Sequence, residues 1–294
     1  MNPSAQHPGP MDYSRHLSLV EWYREINASA AQAKVIEAQA RALGVEVTPL
    51  SIDTDDFSAW TESHDHALPP PDYDNAPPGI AGLLGDLRRE KLLEFFLTLR
   101  LFPHLSQGTL LDVGCGAQPL FAERLAIPMG TKCWAVDPSL ADRESDGRMN
   151  YLRGFVSEAE KIVPTADLIT LHCSFEMFRP SEMSAVLALA QAKLRSGGML
   201  LILPLYLAPQ RTIYADAAAA PPEWSPEDDS DPDVLVGVHD FWGLDWTEWL
   251  PPKALNDRLV EPYPMLHFSL LRVMNSHDVT PASFLRFIGQ WVKK

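Results

Sequence analysis

The sequence predicts an α/β chain built on a doubly wound, mostly parallel sheet, and three observations predict it. First, a short apolar run from Thr109 to Val113 carries Asp112 near its end and leads into Gly114-Cys115-Gly116 and then Pro119. Such a run fits a strand covered on both faces. The two glycines allow a sharp turn and let a ligand approach bare backbone. Pro119 suits the first position of a helix, where its missing N–H costs nothing. Second, strand-like and helix-like segments alternate five times between Leu84 and Leu203, the pattern of a parallel sheet with helices on both faces. Third, the second strand ends in Asp137, about two dozen residues past the first glycine, where doubly wound sheets place an acid facing ribose hydroxyls.

The chain has 294 residues, 46% of them hydrophobic and 21% charged, enough for one large core and an accessory layer. Its formal net charge of −15 argues against nucleic acid, whose phosphates require clustered Lys and Arg, and against an anionic membrane surface. Much of the excess sits in Glu227-Asp228-Asp229-Ser230-Asp231-Pro232-Asp233. Cys115, Cys133 and Cys173 lie in or beside apolar strands without metal spacing and read as reduced core residues. Met1 to Pro10 lacks the design of a secretory signal, and the apolar run from Met199 to Ala208 is too short to span a bilayer. A soluble, cytoplasmic protein is expected.

From Tyr13 to Leu43 apolar residues recur at three- and four-residue steps, predicting a helix stopped by Gly44. Asp53, Asp55 and Asp56 lack the glycine and terminal glutamate of a calcium loop and read as a turn and helix cap. His64-Asp65-His66 reads as polar surface, so no metal is expected. Pro69 to Gly79 is the clearest break in the chain. It divides an N-terminal helical accessory segment, 1–79, from a main domain, 80–294. Leu84 to Phe102 follows as a helix with Leu87, Lys91, Glu94, Phe95 and Leu99 on alternating polar and apolar faces. The predicted strands are Thr109 to Val113, Lys132 to Asp137, Met149 to Phe155, Ala166 to His172 and Met199 to Leu203; Leu120 to Ala126 and Pro180 to Arg195 are helices. Later, Met265 to Asn275 is expected as an antiparallel strand and Pro281 to Val292 as a closing helix.

Two ligand classes compete for the glycine turn. A dinucleotide fingerprint wants a third glycine where Pro119 stands, and Asp112 is badly placed for a pyrophosphate. Asp112-Val113-Gly114-Cys115-Gly116 instead resembles the first motif of class I S-adenosylmethionine-dependent methyltransferases. Leu194-Arg195-Ser196-Gly197-Gly198 resembles that family's turn into the fifth strand. Leu171 to Phe178 and Leu200 to Leu207 resemble the bacterial group of small-molecule methyltransferases. The resemblance spans Leu84 to Leu207, thins beyond, and is absent from the first eighty residues. It departs at Met177, where the group often has a histidine, and at Gly154-Phe155-Val156-Ser157-Glu158, where the acid that binds the adenine amino group is displaced.

The resemblance implies a Rossmann-like sheet of the class I methyltransferase type, with a late antiparallel strand, and S-adenosylmethionine as cofactor. It also implies methyl transfer to a small molecule, foremost an oxygen of a glycan precursor or secondary metabolite. A non-catalytic protein that keeps the fold as a scaffold, and an NAD-type oxidoreductase, are the alternatives. The expected cofactor residues are Asp112, Gly114, Cys115, Gly116, Asp137, Pro138, Phe155 and His172. Asp137 either accepts ribose hydroxyls or caps the segment that follows. His172, at the end of the fourth strand, either acts as general base or lines the cofactor pocket; Glu176 is either that base or a residue holding the loop or the cofactor's amino group. His239-Asp240-Phe241-Trp242-Gly243-Leu244-Asp245-Trp246 interleaves aromatics and acids. His239, Trp242, Trp246 and Tyr206 are therefore candidate acceptor-binding residues, unless the tryptophans only cap the core. The partners expected are a small-molecule acceptor and, in a homodimer, a second copy of the chain.

Overall fold

The computed structural model describes residues 16–17, 32–70, 81–216, 235–239, 247–281 and 283–294. In chain order the elements are β1 (His16–Leu17), α1 (32–42), β2 (Glu46–Leu50), α2 (Thr54–His64), α3 (Ala81–Leu101), β3 (Thr109–Val113), β4 (Lys132–Val136) and β5 (Met149–Leu152). They continue with α4 (Val156–Ala159), β6 (Ala166–His172), α5 (Pro180–Lys193), β7 (Leu194–Leu203), β8 (Thr212–Asp216), β9 (Leu235–His239), β10 (Thr247–Trp249), α6 (Pro252–Leu255), β11 (Leu266–Val273), α7 (Ser276–Val279) and β12 (Phe287–Lys293).

Eight strands form one sheet in the order β2-β11-β12-β7-β6-β3-β4-β5. All of them point the same way except β12, which pairs antiparallel with both β7 and β11. The central strands are buried on both faces, as their unbroken apolar runs require. β3 is buried at all five positions. Alternate residues feed opposite layers: Leu111, Ile169, Leu200 and Ile202 join one core cluster, and Leu110, Leu168, Leu201 and Leu203 the other. α5 covers the first face with Met183, Val186, Leu187 and Ala190. α3 covers the second with Leu92, Leu93, Phe95 and Phe96.

The late strand and closing helix differ from expectation. The counter-running strand is β12, within the segment predicted as a helix, while β11 runs with the majority. Phe287, Ile288 and Trp291 are all buried in β12, in a slot between β7 and β11 that only an extended chain fills. A helix would turn part of that apolar surface to water. The N-terminal stretch also differs. His16–Leu17 pairs with β9 as a strand inside the predicted helix, and the described helix there is 32–42. β2 pairs parallel with β11, and Ala33, Ile36 and Val47 share a core cluster with Ile202 and Trp291. Residues on both sides of the 79/80 boundary thus build one sheet and one core. Asp53 caps α2, its Oδ1 accepting from the backbone N–H of Asp55 at 3.1 Å and Asp56 at 3.0 Å. β8, β9 and β10 join β1 in a smaller sheet of order β1-β9-β8-β10. Among the described residues no helix is long and apolar enough to cross a membrane.

Candidate functional site

The carboxyl ends of β3, β4 and β5 open onto a cavity of about 570 Å³. A doubly wound sheet leaves such a crevice beyond its carboxyl edge. Its lining comes from the glycine turn (Gly114, Gly116), the end of β4 (Val136, Asp137, Pro138, Ser139), the residues after β5 (Gly154, Phe155, Val156) and the segment after β6 (Ser174, Met177, Phe178) together with Arg179 and Glu182. Gly114 and Gly116 take φ of +63° and +70°, a conformation natural to glycine. A side chain at Gly116 would meet only open space, whereas one at Gly114 would press within 2.6 Å of the Ser174 hydroxyl. Asp137 ties the turn down: its Oδ2 accepts from Gly116 N at 2.8 Å, and its Oδ1 accepts from Ser139 N at 2.7 Å and Ser139 Oγ at 2.5 Å. Phe155 lies 56% exposed on the cavity wall, and Ser174 Oγ is buried there without a partner.

Of the residues expected at the cofactor, Gly114, Gly116, Asp137, Pro138 and Phe155 meet at this cavity. Asp112, Cys115 and His172 do not line it. The Asp112 carboxylate lies beneath the turn and accepts from Thr170 Oγ1 at 3.1 Å. Cys115 packs toward the core, and burial, with Asp112 and Asp137 adding to it, holds its thiol protonated. The His172 ring is only 6% exposed, between Phe95 and Phe121 at centroid distances of 5.1 and 4.8 Å. Its Nε2 meets Thr98 Oγ1 at 2.9 Å, and its Nδ1 stands 3.8 Å from Asp112 Oδ1. The imidazole put forward as general base is therefore held under α3, both nitrogens facing protein groups.

A second cluster gathers where α3 passes the end of β6. Glu94 Oε2 accepts from Lys91 Nζ at 2.9 Å, and its Oε1 accepts from the Cys173 thiol at 2.9 Å. Glu90 Oε2 accepts from Phe284 N at 2.6 Å, leaving Oε1 without a partner. Glu176, on the turn after β6, is buried with Oε2 unpartnered, and burial pushes its carboxyl up to about 8. Burial and then the neighbouring Glu94 push Glu90 up too. Burial alone would drive Lys91 down, but Cys173 and Glu94 beside it keep it charged. Tyr206 stacks on Trp249 at 5.2 Å, and burial raises its phenol, with Cys173 and Glu176 adding to the shift.

Sequence reasoning missed Glu90 and read Lys91 and Glu94 as a polar helix face. The signal was present: Leu92, Leu93, Phe95, Phe96 and Leu97 surround the Glu90–Glu94–Thr98 row, and a helix that apolar is buried all round. It also missed Ser139, Ser174 and Phe178, whose place depends on loops rather than on a motif, and Glu182 in the first turn of α5. Among the candidate acceptor residues, Tyr206 lies by this second cluster. Trp242 and Trp246 fall outside the described residues, and of His239 only the backbone, in β9, is described.

No family model matches the sequence, and no curated protein matches it. Solved structures similar to the chain include the YcgJ protein from Bacillus subtilis, at 17% identity over 39% of this chain with a TM-score of 0.30. The chain spans about half of that protein's length, 51%. Human N-acetylserotonin methyltransferase in complex with SAM is similar at 14% identity, covering 98% of this chain and 77% of that one, with a TM-score of 0.42. A Burkholderia thailandensis 1,6-didemethyltoxoflavin-N1-methyltransferase is similar at 14% identity, covering 77% and 93%, with a TM-score of 0.41. The fold rests on the strand order instead. Parallel strands β5, β4, β3, β6 and β7, closed by one counter-running strand β12 and then β11, make this a Rossmann-like doubly wound α/β sheet.

Proposed function

We propose that the chain is an S-adenosylmethionine-dependent methyltransferase that acts on a small molecule. The observation that carries this reading is the cavity at the carboxyl ends of β3, β4 and β5. Its volume lies within the range of small-molecule sites, about 300–1,000 Å³, and its lining combines apolar walls with few polar groups. The residues present fit the cofactor. Phe155, Val156 and Phe178 would flank the adenine ring, and Asp137 with Ser139 would face the ribose hydroxyls. Open space above Gly116 and the unpartnered Ser174 hydroxyl would accommodate the amino-acid end.

The bound cofactor would supply a sulfonium-activated methyl group. The chain's own task is then to hold an acceptor in line and remove its proton. Glu176 is the group suited to that second task, because a carboxyl pushed up to about 8 can hold a proton near neutrality. A hydroxyl acceptor, on a glycan precursor or a secondary metabolite, needs such a base. The stacked Tyr206 and Trp249 rings beside Glu176 support an acceptor with an apolar or sugar face.

Calorimetric titration of the purified chain tests the reading. Saturable binding of S-adenosylmethionine and S-adenosylhomocysteine is expected, with none for NAD. Absence of heat and of thermal shift with both sulfur ligands at millimolar concentration overturns it.

A further inference from the structure

The buried cluster on α3 leaves two carboxyl oxygens without a hydrogen-bond partner among the described residues. Glu90, Glu94 and Glu176 bring three carboxylates, which when ionised can only accept. Both oxygens of Glu94 are satisfied, by Lys91 and Cys173. Glu90 Oε1 and Glu176 Oε2 are not, although Glu90 is 2% exposed and Glu176 9%. These two side chains come from different elements, α3 and the turn after β6. The cations acting on Glu90 are Lys91, whose ammonium is held by Glu94, and Arg286. Burial favours the protonated form of Glu90 and Glu176, and a cation brought beside them would draw both toward the carboxylate. Cys173 and Tyr206 complete the surroundings and, with burial raising both, add no positive charge. Buried acceptors without donors are costly, so a ligand that brings donors and a positive charge is favoured there.

We propose that this cluster receives a basic amine carried by the methyl acceptor, with Glu90 Oε1 taking the ammonium and Glu176 Oε2 a second donor such as a hydroxyl. The proposal rests on the methyltransferase reading above and narrows its substrate to small amine-bearing alcohols or phenols. A divalent metal is the competing occupant, since donor atoms of Glu90, Glu94 and Cys173 lie within 4.8 Å of one another. Lys91 disfavours it. Its ammonium already contacts Glu94, and a metal would have to displace that buried cation. The two open oxygens then belong to Glu90 and Glu176, which suits an extended molecule better than a single ion. Tyr206 stacked on Trp249 offers an aromatic wall for the body of that molecule.

Three probes of one shape test the charge requirement: tyramine (cationic), 4-ethylphenol (neutral) and 4-hydroxyphenylacetate (anionic). Their affinities would be measured by ligand-observed NMR on the full chain, with and without S-adenosylmethionine. Tyramine is expected to bind at least tenfold more tightly than the anion, and Glu90→Gln should reduce that preference to about twofold. Glu176→Gln is the second variant and should weaken tyramine and 4-ethylphenol alike; it carries the comparison if Glu90→Gln does not fold. Equal binding of the three probes, or a tyramine preference untouched by both variants, overturns the proposal. Micromolar binding of Zn²⁺ that disappears in Cys173→Ser overturns it in favour of a metal site. S-adenosylmethionine is titrated into the same samples. Its binding by wild type without a tyramine preference overturns the amine site alone, whereas no binding of the cofactor overturns the reading beneath it.

Discussion

Phe155 and His172 stand on opposite sides of the same sheet edge, and their surroundings assign them opposite effects. Phe155 is 56% exposed on the cavity wall, so truncating it removes almost no core packing. Phe155→Ala is expected to weaken S-adenosylmethionine binding by the worth of one aromatic contact, about 0.5–1.5 kcal/mol or roughly two- to twelvefold, with an unchanged melting temperature. His172 is packed between two phenylalanines and bonded to Thr98. His172→Ala should lower stability by about 2–4 kcal/mol through a lost hydrogen bond and a cavity, while cofactor affinity stays within a factor of a few. Calorimetry and thermal melts on the two variants separate the cases. A large loss of cofactor affinity in His172→Ala would return that residue to the cofactor site. Both residues were named from sequence. Their side of the edge was decided by α3, which lies over β6 and leaves the crevice beyond β4 and β5 open.

At the scale of elements, β12 is closely packed on both sides. Trp291 is fully buried, packed on Phe268 at 4.5 Å between centroids, with its indole N–H donating to Leu259 O at 3.3 Å. Gly289, two residues earlier, is the place where the strand passes that ring. A Cβ there would stand 2.5 Å from a Trp291 ring carbon and 3.0 Å from Leu205. Gly289→Ala is therefore expected to cost about 1–3 kcal/mol by overpacking, seen as a lower urea midpoint at unchanged slope. A neutral or stabilising effect would show that the ring can yield. Alanine is intrinsically better than glycine in a strand, so a loss here reports the neighbours and not the backbone. α3 makes the same point differently. Its amphipathic reading failed because the row Glu90, Glu94, Thr98 faces the end of β6 and not water.

For the molecule as a whole, the buried acids set a pH dependence. Burial carries Glu176 from the usual 4.5 to about 8, so between those values the folded state holds a proton that the unfolded state releases. Stability from this group is fully present below about pH 4.5 and falls as pH rises toward 8, by at most about 1.4 kcal/mol per pH unit. Glu90, raised by burial and by Glu94, acts in the same direction. Glu176→Gln removes its share, so the variant should gain on wild type as pH rises from 5 to 8 in urea denaturation. Parallel curves for the two proteins would mean that Glu176 is ionised in the fold. On the proposed function, a pH–rate profile of methyl transfer is expected to show an inflection near pH 8, with activity rising toward it.

The five parallel strands β3, β4, β5, β6 and β7 and their open carboxyl edge are legible in the sequence alone. Local rules suffice there: an unbroken apolar run means a strand buried on both faces, and glycines at 114 and 116 mean a turn that leaves backbone bare. An acid at 137 then falls where β4 ends, because neighbouring parallel strands of one sheet end at one edge. The same rules found the helix cap at Asp53. The remaining placements follow from long-range packing. Whether Phe287 to Lys293 becomes helix or strand depends on the slot between β7 and β11, and those partners lie up to 93 residues away, in the pairing of Val292 with Met199. β2 joins the main sheet for the same reason, through a partner strand more than two hundred residues distant. The two open carboxylate oxygens exist only because α3 and the turn after β6 come together. No local pattern of charges states which acids will be left without donors once the chain has closed around them.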